Sequence, residues 1–281
     1  MNDKKKVWFI TGAGRGMGVD FVKSALSAGN QVIATGRNTE RIAEVLGNDE
    51  NLLIQKLDVT SNTDAVAAVD EAVARFGRID ILINNAGSFY GGYFEEFTPE
   101  QVEEQLATNL IGPMNVTRAV LPIMRKQRSG HILAVSSGAG LQGFEFNTAY
   151  AASKFGLEGW MESLQPEVEP FGIHTTIVNP GFFRTELLTN ESTTFAEPSI
   201  EEYKERRIEF QDFFIHHNGK QAGDPKRLSQ ALIKITSEEH PPSRFIAGAD
   251  AVDLAEQKIS ELRKQIDAYR ELSVSMAYDE A

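Results

Sequence analysis

The amino-acid sequence predicts an α/β protein built on a doubly wound parallel sheet, and two patterns support this. Short runs rich in β-branched and other apolar residues alternate with longer amphipathic stretches along most of the chain. The short runs are apolar on both sides of the pleat, as expected of parallel strands that helices cover on both faces. A repeated strand–helix–strand order of this kind is typical of doubly wound sheets.

The predicted elements follow one another closely from the first strand onward. The strands are predicted over residues 7–11, 31–35, 52–57, 79–83, 131–136 and 174–178. The helices are predicted over residues 16–28, 39–46, 65–76 and 150–169. Residues 187–221 carry no clear strand pattern and are rich in aromatic side chains, so this insertion is expected to be either functional or mobile.

The charge balance excludes two classes of partner. The chain has 281 residues, with 28 Lys and Arg against 40 Asp and Glu, which leaves a formal net charge of −12. Because nucleic acids and anionic lipid surfaces are bound through a surplus of basic residues, neither is expected as a partner. No apolar run approaches the roughly 20 residues of a membrane-spanning helix, so we expect a cytoplasmic protein that does not bind membranes.

Two further classes of site are not expected. The chain has no cysteine, which excludes disulfides, cysteine–zinc sites and thiol nucleophiles. The paired histidines at 216–217 lack a third ligand at a recognisable spacing, so no metal is predicted.

A glycine-rich turn lies between the first strand and the first helix. It reads Thr11-Gly12-Ala13-Gly14-Arg15-Gly16-Met17-Gly18 and has the form G-x-x-x-G-x-G. Glycines let the backbone approach a ligand phosphate closely, and the helix N-terminus supplies free N–H groups and partial positive charge. The turn therefore predicts a dinucleotide cofactor, contacted by Gly12, Arg15, Gly16, Met17 and Gly18.

The residues after the second strand indicate which dinucleotide is preferred. An acidic residue there accepts hydrogen bonds from the ribose of NAD, whereas an arginine accommodates the 2′-phosphate of NADP. The chain has Thr35-Gly36-Arg37-Asn38 and no acid. Arg37, with Arg15 as a second positive charge, therefore predicts NADP(H) over NAD(H). The alternative, that both arginines are ordinary solvated residues, stays open.

Tyr150 and Lys154 form a pair suited to proton transfer. They lie four residues apart in a predicted helix and therefore share one face. A free phenol has a pKa of about 10, and a nearby ammonium favours the phenolate. The spacing alone occurs often by chance, so its meaning depends on the other motifs of the chain.

Several of those motifs follow predicted strands. They are Asn84-Asn85-Ala86-Gly87, Ser136-Ser137-Gly138, and Asn179-Pro180-Gly181 with Thr185; Asn109 lies in a helical stretch. With the glycine turn and the Tyr150–Lys154 pair, they resemble the short-chain dehydrogenase/reductase family in its shorter-chain branch, over about residues 7–188. The stretch from Ser153 to Gly159 looks more particularly like its hydroxysteroid and retinol dehydrogenases. The resemblance implies a Rossmann fold and an oxidoreductase that interconverts a carbonyl compound and an alcohol.

The resemblance implies a role for each matching residue. Tyr150 matches the general acid/base, and Lys154 matches the residue that lowers its pKa and holds the nicotinamide ribose. Ser137 matches the serine that orients the substrate carbonyl, and Asn109 the asparagine that holds a water in the proton relay. The implied cofactor contacts are Asp58 and Val59 beside the adenine, Asn85, Ala86 and Gly87 along the cofactor, and Pro180, Gly181 and Thr185 at the nicotinamide.

The substrate is expected to be an apolar or aromatic ketone, aldehyde or alcohol, because the residues flanking the predicted site are largely apolar. These residues are Phe89, Tyr90, Tyr93, Phe94, Leu141, Phe144, Phe146, Phe182, Phe183, Leu187 and Leu188. About half of them are expected to be ordinary core residues. A charged substrate, bound by Arg184, Lys204, Arg206 or Arg207, stays open.

Two other functions stay open as well. A regulator that senses NADP(H) without turnover typically lacks the catalytic tyrosine, which this chain has at Tyr150. A sugar-nucleotide epimerase or dehydratase would need a larger substrate domain than the residues after Gly181 provide.

One domain over residues 1–281 is expected, because the chain shows no Pro/Ser-rich linker and no internal repeat. We divide it into a cofactor-binding part at about 7–186, a substrate loop at about 187–221 and a C-terminal helix at about 250–272. The helix carries one apolar stripe, formed by Val252, Ala255, Ile259, Leu262, Ile266 and Tyr269. The stripe lasts under three heptads, so it is expected to dock on the parent domain or on a second subunit and not to form a separate coiled coil. The common tetrameric reductases of the family end in a short closing strand, whereas this chain is expected to end in a long helix. The usual homo-oligomer, a homotetramer, is therefore in doubt, and a homodimer or a monomer is the alternative.

Overall fold

The strands of the protein form one large and one small parallel sheet. The structure, a computed structural model, describes residues 5–189 and 192–278. In chain order the strands are β1 Val7–Thr11, β2 Gln31–Gly36, β3 Leu52–Lys56, β4 Ile81–Asn84, β5 Phe89–Gly91, β6 Gly130–Val135, β7 Ile173–Pro180, β8 Thr193–Phe195 and β9 Arg244–Ala247. Seven of them form a sheet in the order β3-β2-β1-β4-β6-β7-β9, and β5 pairs with β8 in a sheet of two.

Helices cover both faces of the large sheet. They are α1 Gly16–Ser27, α2 Thr39–Leu46, α3 Asn62–Phe76, α4 Pro99–Leu106, α5 Gly112–Gln127, α6 Thr148–Val168, α7 Lys204–His217, α8 Pro225–Ile235 and α9 Ala249–Val274. One apolar core lies between the sheet and α3, α5 and α6, and a second lies between the sheet and α1, α2 and α8. The fold class predicted from the sequence, a doubly wound parallel sheet, is therefore confirmed.

Local sequence signals set where several helices begin. The side chain of Asn38 accepts a hydrogen bond from the Arg41 N–H at the start of α2, and Ser61 does the same for Asp64 at the start of α3. Thr98 and Gln101 form a capping box at the start of α4. Such caps satisfy N–H groups that the first helical turn leaves unpaired.

Two expectations about the strands are wrong. Residues 187–221 do contain a strand, β8, which pairs with β5 from a distant part of the chain. It is only three residues long, so no alternating pattern shows in the sequence. The C-terminal helix does not replace a closing strand either, since β9 immediately precedes α9 and pairs with β7. Both strands exist because a partner strand far away in sequence supplies their hydrogen bonds.

The order of the strands places a crevice at one edge of the large sheet. β1 lies between β2 and β4, so the chain leaves β1 toward β2 and β3 and later returns to β4 on the other side. Ligands of doubly wound sheets bind where the order reverses, beyond the carboxyl ends of the strands. In residues 5–189 and 192–278, no helix has both the length and the apolar character needed to cross a membrane. The cytoplasmic location stays a prediction.

Candidate active site

A single cleft of about 990 Å³ lies at the carboxyl edge of the large sheet. It is lined by most of the residues predicted from the sequence. These are Gly12, Arg15, Gly16, Met17, Arg37, Asp58, Val59, Asn85, Ala86, Gly87, Ser137, Tyr150, Lys154, Pro180, Gly181 and Thr185. Gly18 and Asn109 were also predicted, but they lie behind the residues that line the cleft. Gly18 packs against the glycine turn, and Asn109 is hydrogen-bonded to Ser88.

The glycine turn is tightly packed against the loop after β4. Gly12 has a φ of +67°, and a Cβ there would come within 2.8 Å of the Ala86 Cα. A Cβ on Gly18 would lie 2.2 Å from the Gly12 carbonyl oxygen, which is why α1 can begin so close to the turn. Gly18 is therefore a packing residue, and its part in cofactor binding is to let the turn close.

Asn85 and Thr11 hold the glycine turn and the β4 loop together. The Asn85 side-chain amide donates to the carbonyl oxygens of Thr11 and Gly12, at 2.9 and 3.2 Å. The Thr11 hydroxyl oxygen accepts from the backbone N–H groups of Asn85 and Ala86, at 2.9 and 3.0 Å. These bonds fix the floor of the cleft and leave the N-terminus of α1 directed into it.

Three arginines lie at the end of the cleft beyond β2. Arg37 and Arg15 were predicted there, and Arg41, in the first turn of α2, joins them. Sequence reasoning missed Arg41, although its position one turn after Arg37 was a usable signal. Asp58 shapes the neighbouring wall, because its carboxylate accepts from both the N–H and the hydroxyl of Thr60, at 3.0 and 2.7 Å.

Tyr150, Ser137 and Lys154 come together at the other end of the cleft. The Ser137 side chain lies beside the Tyr150 hydroxyl in the cleft and acts to lower the pKa of that phenol. Lys154 lies one helical turn after Tyr150 on α6, and its ammonium donates to the Val135 carbonyl oxygen at 2.8 Å. The Lys154 Nζ is 5.6 Å from the centre of the Tyr150 ring. The helix periodicity thus places both side chains on the face of α6 that looks into the cleft.

The surroundings move the pKa values of this pair in different directions. Burial raises the pKa of Tyr150, and the Ser137 side chain acts against that rise. Burial also lowers the pKa of Lys154 to about 8, against the opposing influence of the Glu158 charge. The expected lowering of the tyrosine pKa by Lys154 is therefore not produced by the chain's own contacts, because the ammonium is bonded to Val135 rather than to the phenol.

Glu158 is a buried residue of the site that sequence reasoning missed. It lies one turn after Lys154 on α6, and its carboxylate accepts from the Ser136 hydroxyl and the Asn179 amide, both at 2.6 Å. Its second oxygen is paired with Arg244 of β9, which also contacts Glu162 at 2.7 Å. This network joins the ends of β6, β7 and β9 to α6 directly behind the Tyr150–Lys154 pair.

Asn109 lies beneath the cleft in a π-helical turn over Ala107–Ile111. Its side-chain oxygen accepts from the Ser88 N–H at 3.0 Å, and its amide donates to the Ser88 carbonyl and the Ser153 hydroxyl. The side chain is thus committed to holding neighbouring segments. Pro113 has no N–H, so it cannot donate the usual α-helical hydrogen bond to the Asn109 carbonyl.

The wall beside Tyr150 is largely aromatic. The Phe89 ring meets the Tyr150 ring edge-on at 5.1 Å between centroids, and Phe214 of α7 packs on Phe89 at 5.4 Å. Of the apolar residues predicted to flank the site, those that line the cleft are Phe89, Tyr90, Phe144, Phe182, Phe183, Leu187 and Leu188. Tyr93 and Phe146 instead form the packed core behind this wall.

The four cations considered for a charged substrate are all engaged elsewhere. Arg207 is buried and paired with Glu96. Arg206 contacts Glu145 at 2.5 Å, and Lys204 contacts Glu201 at 2.7 Å. Arg184 donates to the Gln221 carbonyl oxygen. None of these four side chains lines the cleft.

Glu186 is a third site residue absent from the sequence prediction. Its carboxylate accepts a hydrogen bond from the Gly16 N–H at 3.1 Å, and its other oxygen lies 3.9 Å from Arg41. The N-terminus of α1 is where an anionic phosphate group would bind, so Glu186 lies on the predicted anion site. Within residues 5–189 and 192–278, no cluster of three His, Cys, Asp or Glu residues could hold a metal ion.

Comparison with known proteins relates this cleft to one large family. A family model described as short chain dehydrogenase matches residues 6–195. Oxidoreductase BOA17 from Botryotinia fuckeliana is 34% identical over 97% of this chain and 99% of its own. A 3-ketodihydrosphingosine reductase from Bacteroides thetaiotaomicron is 35% identical over 86% of this chain and 88% of its own. The crystal structure of a short-chain dehydrogenase from Streptomyces avermitilis, 34% identical, superposes with a TM-score of 0.88 over 98% of this chain and all of its own.

Proposed function

Because the chain belongs to the short-chain dehydrogenase/reductase family, we propose that it is an NADP(H)-dependent oxidoreductase that interconverts a ketone or aldehyde and its alcohol. One observation carries this proposal. The Tyr150 hydroxyl, beside Ser137 and one turn before Lys154, lies in the same cleft as the glycine turn. A proton donor therefore lies in the same cleft in which a dinucleotide would bind.

The residues of the cleft fit a dinucleotide. A side chain on Gly12 would collide with Ala86, and the N-cap residue of α1 makes no side-chain cap hydrogen bond. The Glu186 carboxylate, which accepts from the Gly16 N–H, would have to give way to a bound phosphate. Gly12, Gly16 and Met17 would hold the pyrophosphate, and Val59 and Asp58 would flank the adenine. Arg37 and Arg15 would contact a 2′-phosphate, which favours NADP(H) over NAD(H). Asn85, Ala86, Gly87, Pro180, Gly181 and Thr185 would line the nicotinamide half.

The proposed mechanism assigns proton transfer to the chain's own residues. When bound, the nicotinamide supplies the hydride to the carbonyl carbon or accepts it from the alcohol. In the reductive direction Tyr150 donates its proton to the carbonyl oxygen as that oxygen gains charge. Ser137 donates a hydrogen bond to the same oxygen and orients it. Burial raises the pKa of Tyr150, so the phenol carries the proton to be donated, but the rise also makes it a weaker acid, and neighbouring groups would have to offset it for efficient transfer.

Lys154 and Asn109 support this step from behind. The ammonium of Lys154 would hold the nicotinamide ribose and favour the phenolate left on Tyr150 after proton donation. The Asn109 carbonyl, which cannot pair with Pro113, is the group we assign to a relay water that returns the proton. Water exclusion by the aromatic wall would strengthen both interactions.

We further propose that the substrate is apolar or aromatic around its carbonyl group. Phe89, Phe144 and Phe214 line the cleft near Tyr150, and the cations of the 187–221 segment are paired elsewhere. That segment would form the substrate loop, because Leu187, Leu188 and Phe214 belong to it. By name, the 3-ketodihydrosphingosine reductase relative is also a reductase of a keto compound, which supports the reductive direction.

Cofactor binding and turnover, measured together, test the proposal. NADPH and NADH would be titrated by fluorescence, and oxidation of the reduced cofactor followed against apolar, aromatic and polar carbonyl compounds. Tyr150→Phe should bind NADPH normally and lose turnover by about 10²–10⁴-fold. Tyr203→Phe, which removes a hydroxyl outside the cleft, is the matched control and should retain full activity.

Each alternative outcome has a definite meaning. Tight cofactor binding with no turnover on any substrate in either direction would favour the NADP(H) sensor. Turnover that persists in Tyr150→Phe would refute the assigned acid/base. Preference for NADH would refute the assignment of Arg37.

A further inference from the structure

The C-terminal helix α9 extends well beyond its contacts with the rest of the protein. Its 26 residues span about 39 Å. Only the first turns are held, since Ala251 and Ala255 are buried and Leu254 lines the cleft. From Ile259 onward, every large apolar side chain of the helix is exposed.

The apolar side chains of α9 form one stripe, of which Ala255 is buried and the other members are exposed. Val252, Ala255, Ile259, Leu262, Ile266 and Tyr269 recur at alternating spacings of three and four. Ile259 is 68% exposed and Tyr269 is 65% exposed. An apolar seam with this average spacing is the pattern of helices that pair side by side. A contiguous exposed apolar surface in a soluble chain normally marks an interaction site.

We propose that α9 pairs in antiparallel orientation with α9 of a second copy of this chain. The apolar residues of the stripe are spaced almost symmetrically on the two sides of residue 264. A twofold axis through that point would therefore bring each apolar residue opposite another one. In this register Ile259 lies opposite Tyr269 of the second copy, and Leu262 opposite its Ile266. All four of these layers fall in the part of α9 that the body of the protein does not cover.

The charges beside the seam favour the antiparallel arrangement. On one flank Glu256 faces Arg270 of the second copy, and by symmetry this attraction occurs twice. Arg263 meets Arg263 of the second copy at the centre, where each contacts Asp267 of its own helix at 3.1 Å; the same carboxylate also pairs with Arg270 at 2.7 Å. A parallel pair would instead bring Lys258 against Arg263 of the second copy, also twice. Like charges at such positions destabilise the pairing.

A lipid surface fits the helix less well than a second copy does. Acidic residues outnumber basic ones in α9, whereas interfacial helices carry Lys and Arg on their polar face. The pairing would also bear on the cleft. The Asp250 carboxylate in the first turn accepts from the Phe182 N–H at 2.7 Å, so anchoring α9 would steady one wall of the site.

Sedimentation velocity of the full chain over a range of concentrations tests the proposal. Wild type should show a monomer–dimer equilibrium, and Ile266→Asp should be monomeric. Val66→Asp, which places a charge at an exposed apolar position of α3, is the control and should behave as wild type. All substitutions lie on exposed positions, and circular dichroism would verify that each variant folds.

A charge exchange tests the orientation. Glu256→Arg and Arg270→Glu should each weaken the dimer by roughly tenfold, because each turns two attractions into repulsions. The double variant should return to near wild-type affinity, since the pairs are then reversed but intact. A parallel pair predicts no such rescue.

Several results would overturn the proposal. They are a wild type that stays monomeric at every concentration, an Ile266→Asp variant that dimerises like wild type, or a double variant as weak as the single ones. Cosedimentation of a monomeric wild type with phosphatidylglycerol vesicles would assign the stripe to a lipid surface instead.

Discussion

Replacing Glu158 by glutamine should shift the pH dependence of catalysis without touching any group proposed to contact the substrate. Burial lowers the pKa of Lys154 to about 8, and the Glu158 charge is the influence that keeps it from falling further. Removing that charge therefore lowers the Lys154 pKa. The charged form of Lys154 is the one proposed to support Tyr150, so activity should decline at a lower pH than in wild type.

The size of the expected loss of activity follows from the pKa of Lys154 in the wild-type protein. With a pKa of about 8, Lys154 is about half charged at pH 8 and almost fully charged at pH 6. If Glu158 contributes one pKa unit, about 1.4 kcal/mol, the charged fraction at pH 8 drops to about one in eleven. Turnover at pH 8 should then fall roughly fivefold, and turnover at pH 6 should stay close to wild type.

The assay is a kcat profile from pH 6 to 9 at saturating cofactor and substrate. Glu162→Gln is the matched control, because Glu162 pairs with the same Arg244 but lies one turn farther along α6 and is exposed. It should leave the profile unchanged. Identical profiles for Glu158→Gln and wild type would refute the reasoning, and a uniform loss at every pH would show that Glu158 acts only by holding the strands in place.

Three further predictions concern cofactor binding and stability. Arg37→Ser should weaken NADPH binding by roughly tenfold and leave NADH binding nearly unchanged, measured by fluorescence titration, because one charge-assisted contact to the 2′-phosphate is lost. Glu186→Gln should tighten NADPH binding by roughly threefold in the same titration, because a carboxylate no longer competes for the Gly16 N–H. Burial lowers the pKa of His131 to about 3. Between pH 6.5 and 3 the imidazole is therefore protonated in the unfolded chain but not in the folded one, so the free energy of unfolding falls as the pH falls. From pH 6.5 to 5 the loss is about 2 kcal/mol in urea unfolding, and His131→Gln should remove that part of the slope.

A contrary result is defined for each of these predictions, and the Arg37 prediction also has a control. Arg227→Ser, at an exposed position outside the cleft, should leave NADPH binding intact, and equal losses for NADPH and NADH in Arg37→Ser would contradict the 2′-phosphate contact. Weaker NADPH binding in Glu186→Gln would show that this residue helps to form the site. An unchanged acid slope in His131→Gln would mean that other groups carry the acid sensitivity.

The cofactor half of the site was predictable because its chemistry is local. Gly12 and Gly18 must be glycine for reasons of backbone approach, and the turn, the strand before it and the helix after it are contiguous in sequence. Tyr150 and Lys154 were equally visible, since a spacing of four in a helix determines that they share a face. These predictions needed no knowledge of how distant segments pack.

Two of the residues that were missed, Glu158 and Glu186, depend on contacts between distant segments. Glu158 becomes part of the site only because Ser136, Asn179 and Arg244, from three different strands, converge on it. Glu186 reaches Gly16 across 170 positions of the chain. No periodicity or local spacing encodes such contacts, and the short strands β8 and β9 were misjudged for the same reason.

The sequence by itself determined the fold class, the glycine turn, the Tyr150–Lys154 pair and the apolar stripe of α9, because each follows from backbone sterics or from a period of two or 3.6 residues. Only the tertiary structure decided which aromatic side chains face the cleft and which are core. It also decided that the cations of the 187–221 segment are engaged in ion pairs and hydrogen bonds, and that Lys154 is bonded to Val135 rather than to Tyr150. Burial and charge pairing depend on the whole surroundings of a side chain, and those surroundings exist only once the strands and helices have packed.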